Sequence, residues 1–352
     1  MYFWKRFAMP ETEYLEDRRA RPDPLPAAVN RPNFRHVMAC VDSSPFARAV
    51  LAHAAAVAEA MGSRLTVMRV LEPSTAGQTR PDPVEWELRR REAQAQIARL
   101  AAKASDAVQI EPCVVEGSAA ERICQWAREH KVDLTVLGAR GDSGWSEWGL
   151  GGAARRVAES VPSSVMLVPA AEIGGDAVRY RRLMVPLDCS SRAECALPIA
   201  IRIAEDHEAK VLLVHAVPDV DLTEVGPLEV EDFDLRDRLH RRNERVAQRY
   251  LNLIRARMPL TGALTRIRLL PSGDPRHALA RAVSGEGVDL IVLCSLGLSG
   301  HRDLPIGSTA DFLMTHAATP ILLVRGQITR PASHRRHHAV GARLRLPDRA
   351  LT

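Results

Sequence analysis

The sequence predicts an α/β protein built as two tandem doubly wound parallel sheets, five strands per repeat. Three observations carry this: a long internal repeat, apolar runs of strand length, and amphipathic helical patterns between the runs. The segment from His36 aligns with that from Arg182 and puts Asp42 on Asp188, an offset of 146. Further on, the segment from Val115 aligns with that from Pro271. Gly117 falls on Gly273, Asp133 on Asp289 and Gly141 on Gly297, an offset of 156. A single step of ten residues means one insertion in the second copy, between about Asp219 and Met258.

In the first copy the apolar runs are VMACV (from Val37), LTVMRV (from Leu65), CVV (from Cys113), LTVLG (from Leu134) and VMLV (from Val165). In the second they are LMVPL (from Leu183), VLLVHAV (from Val211), IRLL (from Ile267), LIVLC (from Leu290) and ILLV (from Ile321). Runs of this length, apolar on consecutive residues, are strands covered on both faces. Helices fill the gaps, as at Ala120, Ile123, Cys124 and Ala127, which recur at i, i+3, i+4 and i+7. Strand and helix alternating through short loops require right-handed crossovers and helices on both faces.

The remaining segments have other characters. Residues 1–33 form a Pro-rich extension expected to be mobile, and 170–179, with Gly174 and Gly175 and no periodicity, form the linker. The repeats are therefore 34–169 and 180–325, followed by a basic tail at 326–352 that is also expected to be mobile.

Composition excludes several classes of function. With 352 residues, 46% hydrophobic and 26% charged, the chain is long enough for two ordinary globular cores. The longest Ala-rich stretch, Leu51 to Met61, is too short to cross a bilayer, and Lys5 and Arg6 break the apolar N-terminus. Six cysteines without a C-x-x-C spacing suggest reduced thiols and a cytoplasmic protein. The formal net charge is +5, but residues 327–352 carry six arginines against one acid and account for all of it, while 34–326 sum to −1. The folded body is not basic overall, so nucleic acid is not an expected partner; nor is a membrane.

In such sheets ligands sit beyond the carboxyl ends of the strands, where the strand order switches. After the fourth strand of the first copy come Gly138, two residues, Gly141, nine residues, then Gly151 and Gly152 opening a helix. The second copy reads Cys294, two residues, Gly297, nine residues, then Gly307, Ser308 and Thr309, again opening a helix. Glycines there permit positive φ and close approach of backbone amides to phosphate oxygens, and a helix start adds unpaired donors.

These residues resemble the universal stress protein family, whose ATP-binding members show G-x-x-G, nine residues, G-S/T. The resemblance covers both repeats and neither tail. It implies a fold of the adenine nucleotide α-hydrolase-like or flavodoxin-like kind, dimeric packing, and ATP or another adenine nucleotide held, with Mg as an optional companion, without a catalytic triad. It places Asp42 and Asp188 by the nucleotide, and Val70 and Ala216 beside adenine.

Both copies depart from the pattern. Gly152 lacks the hydroxyl that Ser308 supplies, and Asp142 and Glu147 lie in the first loop, partly offset by Arg140. In the second copy Cys294 replaces the first glycine, but the loop offers His301 and Arg302. The second copy is the better phosphate site.

Other features have simpler readings. Cys189 and Cys294 could face each other across the second site, although buried-strand cysteines usually act as small apolar residues. Trp145 and Trp148 read as local packing or a partner contact, and His334, His337 and His338 as a solvated tail rather than a metal site. The last strands, VMLV and ILLV, lie at sheet edges in the implied order and need covering, by pairing within the chain or in a homodimer. The expected function is a stress-response sensor or regulator that binds adenine nucleotide and is not an enzyme. The alternative is a nucleotide-free interaction protein with decayed sites.

Overall fold

The computed structural model describes residues 34–73, 82–102, 108–140, 149–170, 177–220, 230–259, 264–271, 273–297 and 305–325. The two terminal extensions, Gly141, Trp145, Trp148, His301, Arg302 and most of the linker lie outside the described residues.

The first repeat runs β1 (His36–Cys40), α1 (Ala47–Met61), β2 (Arg64–Leu71), α2 (Pro83–Ala101), β3 (Ile110–Glu116), α3 (Ala119–Glu129), β4 (Leu134–Gly138), α4 (Gly152–Ser160) and β5 (Ser164–Val168). The second runs β6 (Arg182–Pro186), α5 (Leu197–His207), β7 (Lys210–Ala216), α6 (Val230–Arg257), β8 (Thr265–Leu270), α7 (Pro275–Glu286), β9 (Leu290–Cys294), α8 (Ser308–His316) and β10 (Ile321–Val324). A 3-10 turn, Ala193–Ala196, leads into α5. Local chemistry sets the helix ends: Asp82 and Asp274 cap α2 and α7 by accepting from Val84 and Arg276 amides. Gly62 and Gly287 stop α1 and α7 with φ of 65° and 60°. Helix α6 has 28 residues against 19 in α2, so the inserted length falls largely in this helix.

Each half has the strand order of a doubly wound sheet, 3-2-1-4-5 and its counterpart 8-7-6-9-10, parallel throughout. The two sheets expected from the sequence are joined. Strands β5 and β10 pair antiparallel, with Met166 opposite Leu322, and make one sheet of ten strands in the order β3-β2-β1-β4-β5-β10-β9-β6-β7-β8. Alternate residues feed two cores. Val37, Val136, Leu183 and Val292 face α1 and α5, while Met38, Val165, Met184 and Leu323 face the helices of the other side. No helix among the described residues is long and apolar enough to cross a membrane.

The repeated acids Asp133 and Asp289 have structural work at the amino-terminal end of the sheet. Asp133 accepts from the amides of Arg35 and His36 at 2.8 and 3.0 Å, and Asp289 from those of Arg181 and Arg182 at 2.7 and 3.0 Å. Each carboxylate pins the start of a repeat's first strand to the start of its fourth.

Between the repeats, α1 packs on α5, and Arg202 Nε donates to the Ala60 carbonyl at 2.9 Å. Tyr180, 1% exposed, lies between two imidazoles: its hydroxyl bonds His53 Nδ1 at 2.8 Å and its amide donates to His207 Nδ1 at 3.1 Å. Burial pushes His53 down to about 4 and also lowers His207 and His36. Above the ordinary histidine value of ~6.5 the imidazole is neutral folded or unfolded, and the stability is intact. As pH falls from there towards 4, the unfolded chain takes a proton that the folded chain refuses, so stability drops. The expected loss from His53 between pH 7.5 and 5 is about 2 kcal/mol. Urea unfolding at both pH values checks it: His53→Gln, which cannot titrate, should flatten the dependence, and an unchanged slope would remove His53 from the account.

Candidate functional site

The carboxyl ends of β1 and β4, and of β6 and β9, are neighbours at the centre of each half-sheet, where the strand order reverses. Asp42 and Asp188 lie just beyond β1 and β6, in identical turns. The Ser44 amide and hydroxyl donate to Asp42 Oδ1 at 3.0 and 2.5 Å, and the Ser190 amide and hydroxyl to Asp188 Oδ1 at 3.0 and 2.6 Å. In the sequence these serines show only as an Asp-x-Ser spacing that recurs at the 146-residue offset, which does not by itself reveal the hydroxyl contact.

After the fourth strand each chain segment turns back onto itself. The Gly151 amide donates to the Ala139 carbonyl at 2.8 Å, and the Gly307 amide to the Ser295 carbonyl at 2.8 Å. Helices α4 and α8 then start, and their first bonds are Arg155 N–H to Gly151 O and Asp311 N–H to Gly307 O, each 2.9 Å. The amides of Gly152, Ala153 and Ala154, and of Ser308, Thr309 and Ala310, precede those bonds and have no acceptor within their helix. Both triplets sit at the positive end of a helix dipole, an arrangement suited to phosphate or carboxylate oxygens. Ser308 is exposed and Thr309 half-buried at the opening of α8.

The reason for glycine differs from the expected one. Gly151 and Gly307 have φ of −58° and −74°, and Gly138, Gly152 and Gly297 are not among the positive-φ residues. Close approach is what requires them. A Cβ on Gly297 would lie 2.4 Å from Asp188 Oδ2, and one on Gly138 would lie 2.8 Å from the Arg140 carbonyl. Cys294, at the Gly138 position, is half-buried and needs no positive φ, so the second repeat accepts a side chain there. A Cβ on Gly152 would meet nothing within 4 Å. The strained residue is instead Cys189, at φ +65°, directly after Asp188.

Val70 and Ala216, at the ends of β2 and β7, are half-buried against the core that also holds Leu150 and Ile306 from the loops leading into α4 and α8. They form apolar floors beside the helix openings. Asp188, Gly297, Gly307 and Ser308 are brought to one end of the second half-sheet, as are Asp42, Gly138, Gly151 and Gly152 in the first. Of the sequence-predicted positions, Gly141, His301 and Arg302 lie outside the described residues. Cys189 Sγ lies 3.7 Å from His215 Nδ1, whose shorter contact is the Leu187 carbonyl at 2.7 Å. Cys189 is exposed as a residue, yet desolvation of its thiol by the surrounding protein, then Asp188 and Glu194, push it up to about 11, so it stays protonated and a poor nucleophile at neutral pH. Among the described residues no group of three or more His, Cys, Asp or Glu side chains could hold a metal ion.

Gly297→Ala should destabilise the chain by about 1–3 kcal/mol, because the displaced Asp188 carboxylate is held on its other oxygen by Ser190. Gly152→Ala should cost little. A double-mutant cycle checks the cause: Gly297→Ala should cost clearly less in an Asp188→Ala background, and additive effects would disprove the contact.

Comparison with known proteins gives a consistent picture. The profile described as "Universal stress protein family" matches residues 33–169 and again 179–325. A Thermus aquaticus protein, "Universal stress protein in QAH/OAS sulfhydrylase 3'region", is 33% identical over 147 residues, which is 42% of this chain and 99% of that protein. The Bacillus subtilis universal stress protein YxiE is 22% identical over 149 residues, again 42% of this chain and 99% of its own length. Such a relative therefore corresponds to one repeat. Among solved structures, a universal stress protein from Archaeoglobus fulgidus superposes with a TM-score of 0.56 at 16% identity, covering 82% of this chain and 96% of that one. A protein of unknown function from Pseudomonas aeruginosa PAO1 gives 0.58 at 13% identity, covering 84% and 94%.

Proposed function

Since the chain belongs to the universal stress protein family, with the family unit present twice, we propose that it is a cytoplasmic adenine-nucleotide-binding module that reports nucleotide occupancy as a sensor or regulator and needs no turnover to do so. The observation that carries this reading is the recurrence, in two repeats of divergent sequence, of one detailed construction. An Asp-x-Ser turn lies beside a glycine turn folded back by a 2.8 Å bond and delivers three helix-terminal amides without an intrahelical acceptor to the same end of the sheet. Any helix start leaves such amides open, so it is the repeated pairing of the two turns with them that supports a ligand site.

In this reading the phosphates of ATP, or of another adenine nucleotide, lie over the opening of α8, where Ser308 and Thr309 add hydroxyls to the backbone donors. The base lies along Ala216, and Asp188 stands near the ribose and phosphates, from where it could also meet a Mg ion accompanying the nucleotide. Repeat one offers Asp42, Val70 and the Gly151–Gly152 opening, without the hydroxyl. Repeat two is therefore the tighter site.

Calorimetric titration of the full chain with ATP tests this, with mass spectrometry of any nucleotide that copurifies. Ser308→Ala should weaken binding about five- to tenfold, on the order of 1 kcal/mol for one lost hydroxyl contact. Gly152→Ser should strengthen repeat one by a similar factor, because the new Cβ has open space around it. Absence of copurified nucleotide together with no heat at millimolar ATP would favour a nucleotide-free assembly protein instead.

A further inference from the structure

Helix α6 is the element that the second repeat lengthened, and its first seventeen residues, 230–246, include no buried side chain. At 1.5 Å per residue that is about 25 Å of helix with no core of its own. Burial begins at Ala247 and continues at Leu251 and Ile254, one stripe against the sheet. On a helical projection Arg238, Arg241, Arg242, Arg245 and Arg249 fall within an arc of about 100°, centred opposite that stripe. All five are exposed. Among the described residues none of Arg241, Arg242, Arg245 and Arg249 takes part in an ion pair; the helix's His240–Glu244 contact lies off the ridge. Between 238 and 257 there are seven arginines and one acid, Glu244, whereas the corresponding α2 sets Arg89, Arg90 and Arg91 among Glu85, Glu87 and Glu92.

We propose that this arginine ridge is a docking surface for the phosphate backbone of double-stranded nucleic acid. The guanidinium row is about 16 Å long, and each fork can pair two phosphate oxygens. Charge complementarity selects the partner. Five cations on one face need a densely and evenly charged anion, and the acids Glu231 and Asp234 lie on the ridge's amino-terminal prolongation, off the row itself. A bilayer fits less well. The exposed apolar residues of α6 are Val230, Phe233, Leu235, Val246 and Leu253; the last three run along the flank of the ridge, the first two lie beyond its amino-terminal end, and none falls within the arginine row, which leaves that face nothing to insert. The three flanking residues would be the seam of a second copy's α6, but antiparallel pairing with Leu235 opposite Leu253 would bring Arg242 and Arg245 of one copy beside Arg245 and Arg242 of the other, and parallel pairing would set every ridge arginine beside its own counterpart.

The test is fluorescence anisotropy of the full chain with labelled DNA and RNA duplexes of about 20 base pairs, titrated over a salt range. Binding should weaken as salt rises, and Arg245→Gln should reduce the slope of log affinity against log salt by about 0.9. The fivefold Arg→Gln variant should lose at least about tenfold in affinity at low salt, with its melting temperature unchanged as evidence of folding. The six tail arginines are common to both proteins, so the difference reads the ridge. A fivefold variant that binds as the wild type does would overturn the proposal. Retention on vesicles rich in phosphatidylserine with none on either duplex, or dimerisation lost in Val246→Glu with no duplex bound, would overturn it too.

Discussion

The antiparallel pairing of β5 with β10 is the constraint on which the rest of the molecule depends. Both strands are apolar on every residue, Val165 to Val168 and Ile321 to Val324, and each closes its repeat's sheet on one side. Exposed in water, such an edge is a template for aggregation. Joined, the two edges become the middle of a ten-stranded sheet, and both faces of each strand are covered. The outer edges that remain are of another kind. β3 carries Glu111, Pro112 and Glu116, and β8 carries Arg266 and Arg268, charges and a proline that discourage further pairing. The chain thus spends its stickiest edges on itself.

That pairing sets a pseudo-twofold relation between the repeats, and duplication has let the two sides of the axis diverge. Arg155 and Asp311 occupy equivalent positions, separated by the 156-residue offset, on the two helices that open the sites. They meet across the axis at 2.8 Å. A symmetric pair of identical units would place Arg against Arg or Asp against Asp. At roughly 40% exposure the ion pair itself is worth little, yet the two like-charged alternatives are unfavourable, which biases the repeats towards each other. The buried His53–Tyr180–His207 contact has the same asymmetric origin, since Ile199 and Met61 stand at the equivalents of the two histidines.

Much of this was legible in the sequence for physical reasons. Strands covered on both faces must be apolar on consecutive residues, so VMACV, LTVLG and LIVLC announce themselves without periodicity. The stepwise offset located the insertion in what became α6. The glycines of the site were found for a reason the structure revises: Gly297 is required by the approach of Asp188 to 2.4 Å of a would-be Cβ, a contact between residues 109 apart in sequence. No local pattern encodes such a distance. Ser44 and Ser190 were visible as repeated letters, but their role appears only when each hydroxyl is seen fixing its aspartate.

Net charge was a poor guide for a related reason. A sum of −1 over residues 34–326 says that the body is not basic overall and nothing about where its charges lie. Along α6 the acids gather before Arg238 and the arginines after it, and helical geometry then gathers five of those arginines opposite the buried stripe. Had the same residues alternated in sign along the outer face, the sum would be identical and the field would cancel within a turn. What governs a surface's partner is the charge within about one Debye length, some 8–10 Å, and over that distance the ridge is strongly positive although residues 34–326 as a whole are not.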